Sequence, residues 1–130
     1  MSTVTLRSVR QALATAIEQS GYKTYEAPLA TVIPPAVVIV PDAPYLEPDT
    51  ISSQGTRWLA NYELIVAVAY LDNRASLDQL EQIIVKVAAN LPTGTVVGDV
   101  QQPQLEEVGP SQLLTARLSV SLRANLTAPT

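Results

Sequence analysis

The feature that most constrains the fold is an alternation of apolar and polar residues within residues 112–124, near the end of the chain, which is unbroken from Leu114 to Ala124. Successive side chains of a β-strand point to opposite faces of a sheet, so this pattern predicts a strand with two unlike faces. The apolar face holds Leu114, Ala116, Leu118, Val120, Leu122 and Ala124. The polar face holds Thr115, Arg117, Ser119, Ser121 and Arg123. We expect the first face to join the core and the second to meet solvent or a partner.

A second long strand is predicted over residues 57–71, where alternation again separates two faces. One face carries Trp58, Ala60, Tyr62, Leu64, Val66, Val68 and Tyr70. The other carries Leu59, Asn61, Glu63, Ile65, Ala67 and Ala69. The first half of this second face is polar and the other half is small and apolar, which predicts that only one end of the strand is covered on both sides. We expect Leu64, Val66 and Val68 to lie in the core.

Two helices are predicted from apolar residues that recur at helical spacing. The first covers about residues 5–20, and Gly21 follows it as a residue suited to end a helix. The second covers about residues 76–90. Ser76 and Gln79 match the capping box with which many helices begin.

Prolines and short β-branched runs predict the remaining elements. Residues 22–26 favour a short strand, and the run Ala-Val-Val-Ile-Val at residues 36–40 favours a buried strand. Residues 41–56 contain three prolines, two aspartates and two serines, so we expect a long loop there. Residues 95–107 contain Gly98 and Pro103 among valines, which predicts an interrupted or edge strand.

Together these elements predict an α+β fold, with two helices packed on a mostly antiparallel sheet. Their order is α-β-(loop)-β-α-β-β. A chain of 130 residues is long enough for one domain and leaves little room for a second. We therefore expect a single domain over residues 1–130, with the long proline-rich loop at about 41–56.

The residue types present exclude most familiar active sites. The chain has no cysteine and no histidine, which removes thiolate and imidazole metal ligands and the Ser-His and Cys-His catalytic pairs. Asp42, Glu47 and Asp49 lack the spacing of a calcium-binding loop. No stretch matches a phosphate-binding loop or a dinucleotide fingerprint. We expect no catalytic residues, no metal and no cofactor.

Pairs of carboxylates offer a weak alternative to that expectation. Asp78 and Glu81 lie one turn apart on the second predicted helix, where acidic residues commonly stabilise the helix dipole and stay solvated. Glu106 and Glu107 are neighbours, so on a strand their side chains point to opposite faces. We interpret all four as surface or edge charges and not as an acid/base site.

Charge and hydropathy bear on partners and location. Only 15% of the residues are charged, and 8 basic against 12 acidic residues give a formal net charge of -4, which disfavours a sequence-independent grip on nucleic-acid phosphates. The longest apolar stretch, residues 64–71, is too short to span a bilayer. The N-terminus lacks the features of a secretory signal, so we expect the protein to be made and kept in a cytoplasm.

Six segments in a fixed order carry a resemblance to a known family. They are a helix that ends at Gly21, the strand PPAVVIVP, the loop PDAPYLEPDT, the long strand NYELIVAVAY, the helix SLDQLEQIIVKVAANLP and the closing strand LLTARLSVSLRANL. In this layout, over roughly its full length, the chain resembles the tail terminator (tail completion) proteins of long-tailed bacteriophages. The resemblance lies in the order of elements.

The resemblance implies a structural virion protein without catalytic residues. Such a subunit assembles into a hexameric ring, caps the head-proximal end of the polymerised tail tube and offers a surface to the head connector. Its expected partners are further copies of itself, the tail tube protein and the head-tail connector proteins. DNA passes through the channel of such a ring, and an acidic subunit would not hold its phosphates.

Two groups of residues are candidates for contacts with these partners. In the predicted loop, Tyr45 and Leu46 are apolar residues without an obvious place in the core, and acidic residues surround them. The full set of candidates in the loop is Asp42, Tyr45, Leu46, Glu47 and Asp49. The candidates on the polar face of the last strand are Arg117, Ser119, Ser121 and Arg123.

Other functions fit the same sequence. A head-closure or head-completion subunit of the phage neck would have a similar size and charge. A small intracellular ligand-binding domain would place its pocket beneath residues 41–56. In a phage subunit the predicted loop is a contact segment, and in a ligand-binding domain it covers the pocket. In both cases the alternative is a solvated connector.

Overall fold

The computed structural model describes residues 6–25, 33–52, 55–70, 74–92, 94–108 and 111–126. Two helices and six strands make up this part of the chain. In chain order they are α1 (Leu6–Gln19), β1 (Lys23–Tyr25), β2 (Ala36–Ser52), β3 (Gly55–Ala69), α2 (Arg74–Ala89), β4 (Val96–Val100), β5 (Gln104–Val108) and β6 (Ser111–Leu126). The strands form one sheet in the order β1-β2-β3-β6-β4, and β5 also pairs with β6.

The α+β class and the mostly antiparallel sheet are confirmed. Only β1 and β2 run parallel, while every other pair is antiparallel. The predicted order of elements is wrong in two respects. It leaves out β1 as a member of the sheet, and it gives one strand where β4 and β5 are two.

The centre of the sheet is the long pairing of β3 with β6. It runs in one continuous register from Thr56 opposite Leu126 to Ala69 opposite Leu113. Because the register does not shift, the even-numbered residues of both strands share one face and the odd-numbered residues share the other. The alternation predicted for both strands is therefore confirmed, and it separates a core face from a polar face.

The prediction of a loop at residues 41–56 is wrong. Most of this segment belongs to β2, which forms a long hairpin with β3. Proline cannot donate to a sheet and is tolerated where a backbone N–H has no partner. β1 pairs only with Ala36, Val37 and Val38, so the remainder of β2 has a free outer edge within the described part of the sheet. The three prolines lie in this part of β2, close to two shifts of its register with β3.

The interrupted edge strand predicted before β6 is confirmed. β4 and β5 both pair with β6, and Pro103 lies in the gap between them. Gly98 allows β4 to approach β6 closely, since a Cβ at this position would lie 3.3 Å from the Cβ and the carbonyl oxygen of Ser119. The two short strands together lie along one side of β6.

The two helices lie where the apolar periodicity predicts them. α1 ends before Gly21, which has a φ of 99° and donates from its backbone N–H to the carbonyl oxygen of Glu18. α2 begins at Arg74, so Ser76 is a buried residue inside the helix and the predicted capping box is wrong. α1 packs on β1 and β2 and also contacts β6, whereas α2 packs on β3 and β6.

The core lies between the helices and the even-numbered face of β3 and β6. Leu64, Val66 and Val68 are fully buried there, which confirms their predicted place. Leu13 and Ile17 of α1 belong to the same buried cluster. The other core residues are Val9, Val37, Ile39, Ala60, Tyr62, Leu80, Ile83, Val87, Leu114, Ala116, Leu118, Val120, Leu122 and Ala124.

The opposite face of the sheet is buried at one end. Ile65 and Ala67 of β3 are buried there beside Ala36 and Val38 of β2, which confirms that this end is covered on both sides. Ala69, at the limit of β3, is exposed and departs from that prediction. The other end of the same face carries the polar residues described below.

We expect Val66→Asp to abolish folding. Val66 is completely buried, and an unpaired buried charge removes a large part of the about 5–15 kcal/mol that stabilises a domain. Val85→Asp is the matched control, because the side chain of Val85 on α2 is 69% exposed. Circular dichroism and thermal unfolding compare the two variants, and a cooperative melt of Val66→Asp would contradict this core.

Candidate interaction face

Polar side chains cluster on the sheet face that points away from the helices. The alternation places the odd-numbered residues of β3 and β6 there, and β2 and β5 add residues on either side. We call this surface the polar face. It comprises Glu47 of β2, Asn61 and Glu63 of β3, Glu106 of β5, and Thr115, Arg117, Ser119, Ser121 and Arg123 of β6.

Arg117 joins three strands within this face. Its Nη1 donates to Glu63 Oε1 at 2.8 Å, and its Nη2 donates to Glu106 Oε1 at 2.9 Å. All three side chains are partly buried, with 35% of Arg117, 24% of Glu63 and 22% of Glu106 exposed. One guanidinium thus lies between carboxylates from β3 and β5, a geometry that suits its planar fork of donors.

The hydrogen bond to Glu63 is the largest cause of a raised pKa at Arg117, and the charge of Glu106 also raises it, while burial opposes the rise. A basic group with a raised pKa in the folded state stabilises the fold at every pH below its ordinary value. That contribution is lost only above the ordinary value of arginine. The titration of Arg117 itself therefore gives no pH dependence of stability near neutrality.

Thr115 lies deeper in the sheet than its sequence pattern predicts. It is buried, with its hydroxyl 3.0 Å from Glu106 Oε1 and 3.4 Å from the carbonyl oxygen of Gln104. The prediction that this threonine is exposed with the rest of its face is wrong. β5 pairs with this end of β6 and supplies the acceptors that allow a hydroxyl to be buried.

Asn61 connects the other half of the polar face. Its Nδ2 donates to Glu47 Oε1 at 2.8 Å and to the carbonyl oxygen of Pro44 at 2.9 Å. Its Oδ1 accepts from Ser121 Oγ at 2.6 Å. Asn61 is only 8% exposed, so these bonds satisfy a nearly buried amide and tie β2, β3 and β6 together.

A large bulge in β2 lies directly beside Asn61. Pro41 pairs with Tyr62 and Leu46 pairs with Ala60, so residues 42–45 stand opposite Asn61 alone. The hydrogen bond from Asn61 to the Pro44 carbonyl oxygen attaches the bulge to β3. Extra residues of this kind bend a strand and turn its side chains in new directions.

Tyr45 and Leu46 have a place in the core, contrary to the interpretation from sequence. Both are half-buried and pack against the core cluster. The Tyr45 ring meets the Tyr62 ring edge-on, with centroids 5.6 Å apart, and the two hydroxyls lie 3.4 Å from each other. The bulge makes this possible because it turns side chains of β2 inward against β3.

The structure brings some of the predicted contact residues together and leaves others apart. Glu47 and Ser121, predicted from separate segments, are joined through Asn61. Asp42 bonds within the bulge, where its Oδ1 accepts from the backbone N–H of Ala43. Ser119 is half-buried opposite Glu63 in the register, and Arg123 is exposed.

Asp49 lies in β2, but its side chain is outside the described residues. The sequence pattern grouped Thr115 with the other polar residues of β6 but did not join Asn61, Glu63 or Glu106 to them. The polar residues of β3 were a usable signal for two of them, since they occupy the same face as the polar residues of β6. Glu106 had no such signal, because only the pairing of β5 with β6 places it beside Arg117.

Three open cavities on the described surface are lined by residues outside 41–56. One of about 180 Å³ borders the polar face and is lined by Gln101, Gln102, Gln104, Thr115 and Arg117. Sites for small molecules usually enclose about 300–1,000 Å³. A larger recess of about 590 Å³ lies at β1, and a groove of about 440 Å³ lies along α2.

Comparisons with models of known protein families give no match, and a search of curated proteins gives no significant match. Neither helix of the described chain has the length and hydropathy needed to cross a bilayer. In the same residues, acidic side chains form no group of three or more that could hold a metal ion. The distinctive chemical feature is thus the hydrogen-bonded polar face.

We expect Asn61→Ala to destabilise the fold by about 1–3 kcal/mol, because it removes three hydrogen bonds of an amide that is only 8% exposed. Asn90→Ala is the matched control. Asn90 is exposed and makes one side-chain bond, to the carbonyl oxygen of Lys86, so its loss should cost less than about 1 kcal/mol. Urea unfolding measures the free energy of unfolding of both variants. Equal losses of stability would contradict a central role for Asn61.

We expect Arg117→Met to cost about 1 kcal/mol, a value reduced by the partial exposure of the ion pairs. Arg117→Lys should recover only part of this loss, because an ammonium group lacks the fork that reaches both carboxylates. Added salt should reduce the difference in the free energy of unfolding between wild type and Arg117→Met, because it screens the ion pairs. Arg74→Met, at the exposed start of α2, is the control. Unfolding midpoints unchanged by Arg117→Met would show that the cluster contributes nothing to stability.

Proposed function

We propose that this chain is a structural assembly subunit of the tail-terminator kind, which forms a ring at the head-proximal end of a phage tail tube, ends tube polymerisation and offers the surface for head joining. The observation that carries the proposal is the polar face. Its side chains are held in place across four strands by hydrogen bonds and ion pairs. The resemblance in sequence layout points to the same family, although residues 41–52 form a strand where that layout has a loop.

A fixed polar surface suits repeated assembly better than a flexible one. Ordering a long charged side chain at an interface costs about 0.5–1.5 kcal/mol, and this cost falls when the side chain is already held in the free subunit. Arg117 is held by two carboxylates and Asn61 by three partners before any contact forms. Such a surface presents the same groups to the tail tube from every copy in the ring.

The charge of the polar face agrees with a surface near passing DNA. Three carboxylates, from Glu47, Glu63 and Glu106, lie with the two guanidinium groups of Arg117 and Arg123. A basic face would bind phosphates and slow their passage, whereas a mixed and slightly acidic face does not. The formal net charge of -4 for the chain has the same sign.

A second neck protein, such as a head-closure or head-completion subunit, would use a similar ring and face but would bind the connector instead of the tube. A ligand-binding domain would work as a monomer and change its stability with ligand. The size of the assembly and the identity of its partner separate these three functions.

The test is assembly by the purified chain. We expect native mass spectrometry to give a hexamer and electron microscopy to show closed rings with a central channel. Added to polymerising tail tubes, the rings should cap one end and stop growth. A protein that stays monomeric in the presence of tubes would contradict the proposal, and rings that bind only the connector would favour the other neck functions.

Arg123→Glu tests the polar face within that assembly. Arg123 is exposed, and exposed charge interactions contribute at most about 1 kcal/mol, so its reversal should lower the unfolding midpoint only slightly while it weakens binding of rings to tubes by about tenfold. Arg74→Glu, on the exposed start of α2, is the control and should bind as wild type does. Equal tube binding by both variants would show that the polar face does not contact the tube.

A further inference from the structure

The two edges of the sheet differ from each other. At one edge, the short strand β1 pairs only with β2 among the described strands. At the other edge, β4 and β5 lie end to end along β6, and every residue of β4 is exposed. We call these the β1 edge and the β4–β5 edge. Unpaired strand edges present free N–H and C=O groups and can accept a further strand.

The β4–β5 edge carries an apolar strip that the helices do not cover. Val97, Val100 and Leu105 pair with Val120, Leu118 and Leu114 of the core face, so they point to the helix side of the sheet. Their side chains are nevertheless between 44% and 56% exposed. Two helices side by side, each about 10 Å wide, cover about four strands spaced about 4.8 Å apart. The sheet is five strands wide, so the position of β4 and β5 is left uncovered.

The charges of the β4–β5 edge have one sign. Residues 96–108 contain Asp99, Glu106 and Glu107 and no basic residue. Glu106 is already paired with Arg117, so Asp99 and Glu107 are the carboxylates that would oppose pairing of two copies through this same edge about a two-fold axis. Like charges placed across an interface oppose association. The charge pattern therefore disfavours self-pairing of this edge and favours a partner with basic residues.

The β1 edge has the complementary character. An open recess of about 590 Å³ lies there, lined by Glu18, Gly21, Tyr22, Lys23, Thr24 and Tyr25. Lys23 is exposed, and Lys86 Nζ lies 5.6 Å from the centre of the Tyr22 ring, so two cations border this edge beside the carboxylate of Glu18. The half-exposed tyrosines offer apolar area for valine side chains.

We propose that the β4–β5 edge of one copy docks on the β1 edge of the next copy and continues its sheet. Asp99 and its acidic neighbours then face Lys23 and Lys86, while Val97 and Val100 cover the tyrosines of the recess. An interface between unlike surfaces is head-to-tail, and it gives a closed ring when the rotation between copies closes. This inference rests on the proposed ring and adds the two surfaces that form it.

Charge exchange tests the pairing of these edges. Asp99→Lys and Lys23→Glu should each weaken assembly by about tenfold, measured by sedimentation as a function of concentration. The double variant restores opposite charges and should assemble nearly as wild type does. Asp78→Lys, on the exposed side of α2, is the control and should leave assembly unchanged. Thermal unfolding verifies that every variant is folded.

Disulfide trapping tests the same geometry without relying on charge, because the chain has no natural cysteine. Asp99→Cys and Lys23→Cys alone should give no cross-linked species. The two changes in one chain should give a ladder of covalent multimers under oxidation. Dimers formed by Asp99→Cys alone would show self-pairing of the β4–β5 edge and overturn the inference.

The outcomes separate this inference from the proposed function. Rings that persist in both charge-reversed variants, with no ladder from the double cysteine variant, would overturn the edge pairing and leave the ring intact. A wild-type chain that is monomeric at every concentration and with tail tubes would overturn both. Loss of assembly in the single variants with recovery in the double variant supports the edge pairing.

Discussion

The unbroken pairing of β3 with β6 is the constraint on which the rest of the structure depends. A shift by one residue would exchange the two faces of either strand and place serine and arginine in the core. In the continuous register from Thr56 to Ala69 the two faces are not exchanged at any point. Both helices therefore pack on one face, and polar side chains lie on the other. β2, β4 and β5 are then added to a template whose faces are already fixed.

Much of this fold is encoded in local patterns, and the parts that are not depend on pairing. Alternation identified β3 and β6, and helical spacing identified α1 and α2, because each pattern follows from the geometry of one element. The first part of β2, residues 36–40, was predicted as a strand, but residues 41–52 were missed because prolines exclude a strand only where the N–H is needed. Whether it is needed depends on β1, which pairs with just three residues of β2.

The candidate site shows the same division. The alternation of β6 predicted which residues share a face, but it could not predict that β5 would cover Thr115 or that Arg117 would have two acidic partners. The position of Tyr45 was also not predictable from the local sequence. Its contact with Tyr62 depends on a bulge whose length is visible only once β2 and β3 are paired.

The bulge in β2 also has a consequence for how the chain can change. Residues 42–45 stand opposite one residue of β3, while the pairs at Pro41 and Leu46 on either side are regular. Residues added between Asp42 and Ala43, ahead of the contacts made by Pro44 and Tyr45, would alter the outward reach of the bulge without removing any paired residue of the sheet. Variation in length can therefore accumulate at this point of a long strand, where it would change the outer surface and leave the core and the register as they are.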